Sequence, residues 1–341
     1  MRAAVYRGTR RIDLERVPDP VAGPRDIVLA VKACGVCGTD VSTYTKGLFA
    51  DPGQIMGHEF AGEVVEVGVD VDDIAVGDRV TGLPIQPCGE CVRCREGMGH
   101  LCEVWGTRSI AYGLPGAFAE FLRIPDAMLW RNVHRLPDDV SFDSGALVEP
   151  LAVAVHAVRK AQPRPGQAAV VLGLGPIGLQ TAQALLAHGA SPVIGVDLSP
   201  LRRSVGSQLG LIVVDDVGDV GTAIERSTGV REVPVVFEAT GAPALVQRAV
   251  ELVRPGGLVV VVALYEGPVQ VDPTLVVQKE VVLRGSAMVT PDDFRDAVGL
   301  LASGSAKAEP LVTHRRSLDE IGEAFEAQLD KEAAVKVLVT P

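Results

Sequence analysis

The sequence predicts an α/β protein in which a β-rich part precedes a doubly wound parallel sheet covered by helices. Three observations carry this. Apolar, β-branched runs at 168–172, 192–197, 212–214, 234–238, 258–263 and 281–283 alternate with helical stretches such as 176–188. Strands apolar on both faces belong to parallel sheets buried on both sides. Residues 1 to about 150 instead hold short strand-like runs at 26–32, 63–67, 78–81 and 118–124, cut by Gly, Pro and Asp, the mark of an irregular β domain. All six cysteines (Cys34, Cys37, Cys88, Cys91, Cys94 and Cys102) fall in the first third of the chain. Beyond the parallel-sheet region, helices are expected near 293–302 and 318–329 and a strand at 334–339, from their apolar periodicity.

Composition narrows the class. At roughly 150 residues per domain, 341 residues imply two domains. An apolar fraction of 47% against 22% charged excludes a disordered chain. The 37 glycines and 23 prolines follow no triplet period, which excludes collagen. A net charge of −11 argues against a nucleic-acid partner or an anionic membrane surface. Apolar runs such as 258–264 fall far short of the roughly 18 residues of a membrane span. The opening Met-Arg-Ala-Ala-Val-Tyr-Arg is charged at once and has no apolar signal core. The expectation is a cytoplasmic protein of enzyme size, where clustered thiols read as metal ligands rather than disulfides.

The run Gly173-Leu174-Gly175-Pro176-Ile177-Gly178 follows an apolar strand and opens a helix, and Asp197 ends the next strand 19 residues after Gly178. This context turns a weak glycine pattern into a dinucleotide fingerprint. Gly173 permits the tight turn, Gly175 lets backbone approach a pyrophosphate at the helix N-terminus, and Gly178 lets the helix pack on the sheet. Pro176 and Ile177 line the same turn. Asp197 would hold the ribose hydroxyls and repel a 2′-phosphate, so NAD is favoured over NADP. Arg202 and Arg203, just beyond, weaken that preference slightly, and Arg202 joins the coenzyme-binding set.

Cys88, Cys91, Cys94 and Cys102 place four thiols within 15 residues. Four thiolates make a closed tetrahedral zinc site with no vacancy for substrate. An iron–sulfur cluster is the competing reading. A second set is looser: Cys37-Gly38-Thr39-Asp40, Gly57-His58-Glu59 and Glu149-Pro150. One thiolate, one imidazole and one carboxylate would leave zinc an open position able to polarise an oxygen. Cys34, three residues before Cys37, reads as packing.

These elements occur in one order: Gly35-Val36-Cys37-Gly38-Thr39-Asp40, Gly57-His58-Glu59-Phe60-Ala61-Gly62, Val76-Gly77-Asp78-Arg79-Val80, the four cysteines, Glu149-Pro150-Leu151-Ala152-Val153, and Gly173 to Gly178. Across essentially the whole chain they resemble the zinc-dependent medium-chain alcohol dehydrogenases. Glu149 to Val153 resembles the polyol and 2,3-butanediol branch, with its sorbitol and threonine dehydrogenases. The resemblance implies a GroES-like catalytic domain at 1–152 and 287–341, with a structural zinc lobe at about 86–104. It implies a Rossmann NAD-binding domain at 153–286. It also implies two zinc ions per chain. Cys37 and His58 match catalytic zinc ligands, with Glu59 and Glu149 both open as the completing carboxylate, and the four-cysteine stretch matches the structural zinc. Thr39 matches the hydroxyl that takes the substrate proton, and Lys336 a basic residue near the coenzyme pyrophosphate. The implied reaction moves a hydride between a secondary alcohol (diol, polyol, cyclitol or amino-alcohol) and NAD, in a homotetramer or homodimer.

Two positions depart from that pattern. Ser42 stands where many relatives carry a proton-relaying histidine. The stretch 285–290, Gly-Ser-Ala-Met-Val-Thr, replaces an Arg-Tyr pair of the polyol enzymes. Tyr44, Phe49, Trp105 and Phe118 are candidate pocket walls, with Phe118 read as core. Two rivals remain at this point. A zinc-free quinone or enone reductase would lack the His-Glu pair and the cysteine lobe. An NAD-responsive regulator would need no open metal site.

Overall fold

The chain enters as a hairpin, β1 (Arg2–Gly8) against β2 (Arg11–Arg16). In this computed structural model, which describes residues 1–215, 217–229 and 231–341, two units follow. The first is Met1–Ala152, Met288–Ser303 and Val312–Pro341; the second is Val153–Ala287 and Gly304–Leu311.

In the first unit, β3 (Ile27–Gly35) is the central strand, and eight of its nine residues are buried or nearly so. It leads into α1 (Gly38–Lys46), then β4 (Glu59–Val67) and β5 (Arg79–Gly82). Two short helices, α2 (Val92–Arg95) and α3 (Trp105–Arg108), lie in the cysteine-rich stretch. After β6 (Phe121–Ile124) and β7 (Val133–Arg135) come α4 (Phe142–Ala146) and α5 (Val148–Ala161), the last running from the first unit into the second. The expected strand at 118–124 is shortened. Residues Gly116 to Phe118 give their N–H groups to the carbonyls of Ile55, Met56 and Gly57 instead, which anchors the segment that delivers His58.

The second unit is a six-stranded parallel sheet. Its elements are β8 (Ala169–Leu172), α6 (Pro176–Ala187), β9 (Val193–Val196), α7 (Pro200–Gln208), β10 (Ile212–Val214), α8 (Val220–Thr228), β11 (Val233–Glu238), α9 (Pro243–Leu252), β12 (Val253–Val261), α10 (Pro273–Lys279) and β13 (Val282–Gly285). The spatial order is β10-β9-β8-β11-β12-β13. This is the doubly wound order whose switch point, between β8 and β11, opens a crevice for a dinucleotide. Leu172, Val170, Val236 and Val259 are fully buried between the helix layers.

The chain then returns with α11 (Pro291–Ala302), β14 (Val312–Ser317), α12 (Ile321–Leu329) and β15 (Lys336–Thr340). β15 pairs with β3, Leu338 opposite Gly35, completing a sheet of order β14-β15-β3-β4-β5-β7 with β6 on β3. Tyr44 and Phe118 pack on Phe325 of α12 at 5.0 and 5.7 Å between ring centroids, so both are core side chains rather than pocket walls. Phe49 is exposed.

One expectation shifts here. Residues 304–311 were expected with the first domain but group with the second unit. The Gln183 side chain bonds Lys307 through both its backbone N–H and C=O (2.6 and 3.1 Å) and holds the segment there. Most of the apolar run 258–263 falls in β12, which lies between β11 and β13. The edge strand on that side is β13, whose Val282 and Leu283 are 46% and 41% exposed.

Candidate metal sites and coenzyme loop

β3 and β4 run antiparallel with Gly35 opposite Glu59. This register sets the chain leaving β3, which carries Cys37, beside the chain entering β4, which carries His58. Cys37 caps α1, its N–H donating to Asp40 Oδ2 at 2.9 Å. The donor atoms of Cys37, His58 and Glu59 all lie within 4.8 Å of one another, with His58 and Glu59 buried. A Cβ on Gly35 would stand 2.1 Å from Glu59 Oε2; only glycine leaves the carboxylate its place.

The electrostatics of this pocket favour a cation. Burial alone would lower the His58 pKa, but Tyr112, Asp40 and Cys37 around it raise it well above the ordinary histidine value. His58 Nδ1 lies 3.8 Å from Asp40 Oδ1, too far for a hydrogen bond, and finds no hydrogen-bond partner among the described residues. Cys37, His58 and Glu59 offer a thiolate, an imidazole and a carboxylate, the ligand types zinc takes, within 4.8 Å of one another. The donor set fits zinc, with one coordination position left over.

Glu149 sits in the first turn of α5 and is not one of the three close donors. It lies within the field of the same groups. Burial pushes its pKa up to about 7, against the pull of His58 and with the push of Glu59. Thr39, the second residue of α1, accepts a hydrogen bond from Tyr112 Oη at 3.0 Å. The Tyr112 ring lies 5.5 Å from that of His58, and Trp105 meets Tyr112 edge-on at 5.4 Å.

Lys336 is corrected by the structure. It was expected at the coenzyme pyrophosphate, but its side chain is 1% exposed. Its ammonium donates to Glu59 Oε2 and Oε1 at 2.7 and 2.9 Å and to the Val36 carbonyl at 3.1 Å. All three ammonium protons are used. The cause is sheet register: β15 lies against β3, and Val36 N–H bonds the Val337 carbonyl at 3.0 Å. Lys336 therefore holds Glu59, its ammonium engaged within the first unit.

The second cluster is Cys88, Cys91, Cys94 and Cys102, whose sulfurs also fall within 4.8 Å of one another. Cys88 and Cys94 Sγ are 3.9 Å apart, close to the about 3.8 Å edge of a tetrahedron with roughly 2.3 Å zinc–sulfur bonds. Backbone N–H groups of Cys91 and Glu90 point at Cys88 Sγ (3.3 and 3.4 Å). They lower that thiol to about pKa 6, which favours the thiolate a metal requires. These residues fit zinc as well. Cys34 is fully buried and outside both groups.

In the second unit, Gly173 turns the chain at φ 91° after β8, Gly175 caps α6, and Pro176 occupies its first turn. A Cβ on Gly178 would lie 1.8 Å from the Gly173 carbonyl oxygen, so helix and strand approach only through glycine. Gly175, Pro176 and Ile177 are partly accessible at the helix start, where orphan N–H groups suit a pyrophosphate. Asp197 follows β9; its two oxygens accept the Leu174 and Ser199 N–H groups at 2.8 and 2.9 Å. Each oxygen keeps a lone pair for a ribose hydroxyl. Arg202 Nη1 is 3.7 Å from Asp197 Oδ2, and Arg203 bonds the Asp197 carbonyl.

Comparison with known proteins agrees with this geometry. Residues 23–138 match the family model for the alcohol dehydrogenase GroES-like domain, and residues 176–303 match that for zinc-binding dehydrogenases. The chain is 36% identical to (R,R)-butanediol dehydrogenase of Bacillus subtilis (strain 168) over 356 aligned positions, covering 100% of both chains. The chain belongs to the zinc-dependent medium-chain alcohol dehydrogenases. It is likewise 32% identical to sorbitol dehydrogenase of the same Bacillus strain, covering 100% of this chain and 97% of that one. A solved zinc-binding dehydrogenase from Sinorhizobium meliloti 1021, bound to NADP, superposes with a TM-score of 0.90 at 31% identity, covering 100% and 99%.

As a member of this family the chain is an oxidoreductase that uses zinc and NAD(P). Among the described residues no helix is long and apolar enough to cross a membrane. Two residues of the first unit's site, and the partner of a third, were not legible from the sequence. Asp40 was visible only as part of a motif, although an acid three residues after an N-cap is the signature of a capping box. Tyr112 carries no periodic signal. The pairing of Lys336 with Glu59 spans 277 residues.

Proposed function

We propose that this enzyme oxidises a secondary alcohol of the diol, polyol, cyclitol or amino-alcohol class, with NAD as the preferred acceptor. The observation that carries the reading is the close grouping of Cys37, His58 and Glu59, with the Thr39 hydroxyl two residues after Cys37 at the start of α1. Cys37, His58 and Glu59 would hold the catalytic zinc, and Cys88, Cys91, Cys94 and Cys102 the structural one. When bound, zinc would supply a Lewis acid for the alcohol oxygen and NAD a hydride acceptor. Thr39 accepts the hydroxyl proton as its own proton passes to solvent. Lys336 fixes the Glu59 carboxylate from behind through two hydrogen bonds. Glu149, within the field of His58 and Glu59, would hold solvent or substrate where the three ligands leave zinc open.

Glycines 173, 175 and 178 with Pro176 and Ile177 would receive the pyrophosphate, and Asp197 the adenosine ribose. The preference for NAD rests on the Asp197 carboxylate, which a 2′-phosphate would have to approach. Arg202, 3.7 Å away, offsets that repulsion in part. The butanediol and sorbitol relatives support the substrate class. The stretch Gly285 to Thr290 lacks the Arg-Tyr pair, which speaks against a long polyol. We assign the molecule as a homo-oligomer of cytoplasmic location. The apolar, exposed β13 edge supports self-association, because an open edge with Val282 and Leu283 outward is a template for pairing.

The test is a screen of secondary alcohols, vicinal diols, polyols, threonine and cyclic amino-alcohols with NAD and with NADP. Zinc-dependent reduction of NAD by at least one of these is expected. Reduction by none, or a preference for NADP, contradicts the reading or its coenzyme choice respectively.

A further inference from the structure

We propose that Tyr112 is a positioning residue for the reaction, acting by holding the Thr39 hydroxyl in the orientation that accepts the substrate proton. The inference rests on the alcohol dehydrogenase reading of the open site. Tyr112 Oη donates to Thr39 Oγ1 at 3.0 Å. A threonine hydroxyl otherwise turns among staggered rotamers and can bond backward onto its own helix. With one lone pair taken by Tyr112, Thr39 Oγ1 retains one lone pair and its own proton. The lone pair is left to receive the substrate hydroxyl proton while the proton Thr39 already carries passes to solvent water, which the partly accessible hydroxyl can reach. In the reverse direction, two hydroxyls in series donate toward the substrate oxygen, and hydrogen bonds in a chain strengthen one another.

The side chain is aimed by the backbone and by its neighbours. Tyr112 follows Ala111, a non-glycine residue at φ 73°. Such left-handed residues cost free energy and persist where the surroundings impose them. The turn is imposed by three hydrogen bonds onto one oxygen: Tyr112, Gly113 and Leu114 all give their N–H groups to the Ser109 carbonyl (3.0–3.2 Å). Gly113 cannot carry a side chain, since its Cβ would meet the Thr107 backbone at 2.4 Å. The ring packs against His58 at 5.5 Å and in a T-shaped contact with Trp105 at 5.4 Å between centroids. Trp105 begins three residues after Cys102, the last of the four clustered cysteines. The closed metal lobe is thus the covalent base from which Tyr112 reaches the open site. Thr39 and Tyr112 are both partly accessible, as a pair that meets substrate must be.

The test is a double-mutant cycle on the zinc-loaded holoenzyme, with an alcohol that the wild type oxidises. Tyr112→Phe keeps the ring contacts with His58 and Trp105 and removes only the hydroxyl. It is expected to lower kcat about 10- to 100-fold, the range for partners that orient a reacting group, with KM, zinc content and coenzyme affinity unchanged. Thr39→Val is expected to lower kcat further, and Tyr112→Phe added to Thr39→Val is expected to change nothing more, because Tyr112 acts through Thr39. Unchanged kcat in Tyr112→Phe overturns the proposal. So does an equal loss in the presence and absence of the Thr39 hydroxyl, and so does a loss accompanied by zinc release, which marks a structural role. A wild-type protein that oxidises no alcohol overturns the functional reading itself and this inference with it.

Discussion

Glu59 and Glu149 differ in what surrounds them, and that difference sets their roles. Glu59 stands among the three close donors with Lys336 behind it, whereas Glu149 lies outside that group. Glu59→Gln is therefore expected to release the catalytic zinc. Glu149→Gln should retain it and lose about 10- to 100-fold in turnover. Metal content and kcat measured on both variants check this; zinc loss only in Glu149→Gln would exchange the two roles. A different residue governs acid stability. His134 is fully buried on β7, 4.9 Å from the Phe294 ring. Burial, with the nearby Arg295 charge, holds its pKa down to about 4. The unfolded chain binds that proton near pH 6.5, so the contribution of neutral His134 is complete above that pH. It falls as pH drops from about 6.5 to about 4 and is constant below. The loss is on the order of 3 kcal/mol. Denaturant unfolding of wild type and His134→Leu across pH 4–7 should give curves that converge toward acid; parallel curves would remove His134 as the cause.

At the scale of elements, what the sequence made legible follows from locality. Gly173 to Gly178 and the four cysteines carry their geometry within 15 residues, so spacing alone announces strand–turn–helix or a thiolate lobe. The parallel strands were legible because burial on both faces leaves nearly unbroken β-branched runs. Non-local register was not legible. The Lys336–Glu59 contact depends on β15 lying beside β3, which no spacing encodes. Tyr112 depends on a left-handed alanine in a loop, and the placement of 304–311 depends on one glutamine side chain. The shortened β6 has the same origin, since Gly116 to Phe118 are captured by the chain before His58. One prediction belongs to the β9–α7 turn as a unit. Asp197 closes it by accepting two backbone N–H groups while Arg202 flanks it. Asp197→Ala should relax discrimination against NADP by removing the carboxylate and leaving the guanidinium. The ratio of kcat/KM for the two coenzymes measures it; an unchanged ratio places the discrimination elsewhere.

At the scale of the whole molecule, the two units carry separable chemistry: one both metal sites and Thr39, the other the coenzyme loop. The apolar β13 edge belongs to the second unit. A charge there, Val282→Asp, should lower the solution mass toward that of one chain while leaving zinc content intact. A wild type that sediments as a monomer at micromolar concentration would contradict the assigned self-association. The claim on which the rest depends is that this chain binds two zinc ions in chemically different sites, one closed and one open. Metal analysis of reduced wild type and Cys37→Ala tests it most directly. The expected result is two zinc ions per wild-type chain and one in Cys37→Ala, the remaining ion held by Cys88, Cys91, Cys94 and Cys102. One zinc in the wild type with no change in Cys37→Ala, or iron in the four-cysteine lobe, would contradict it.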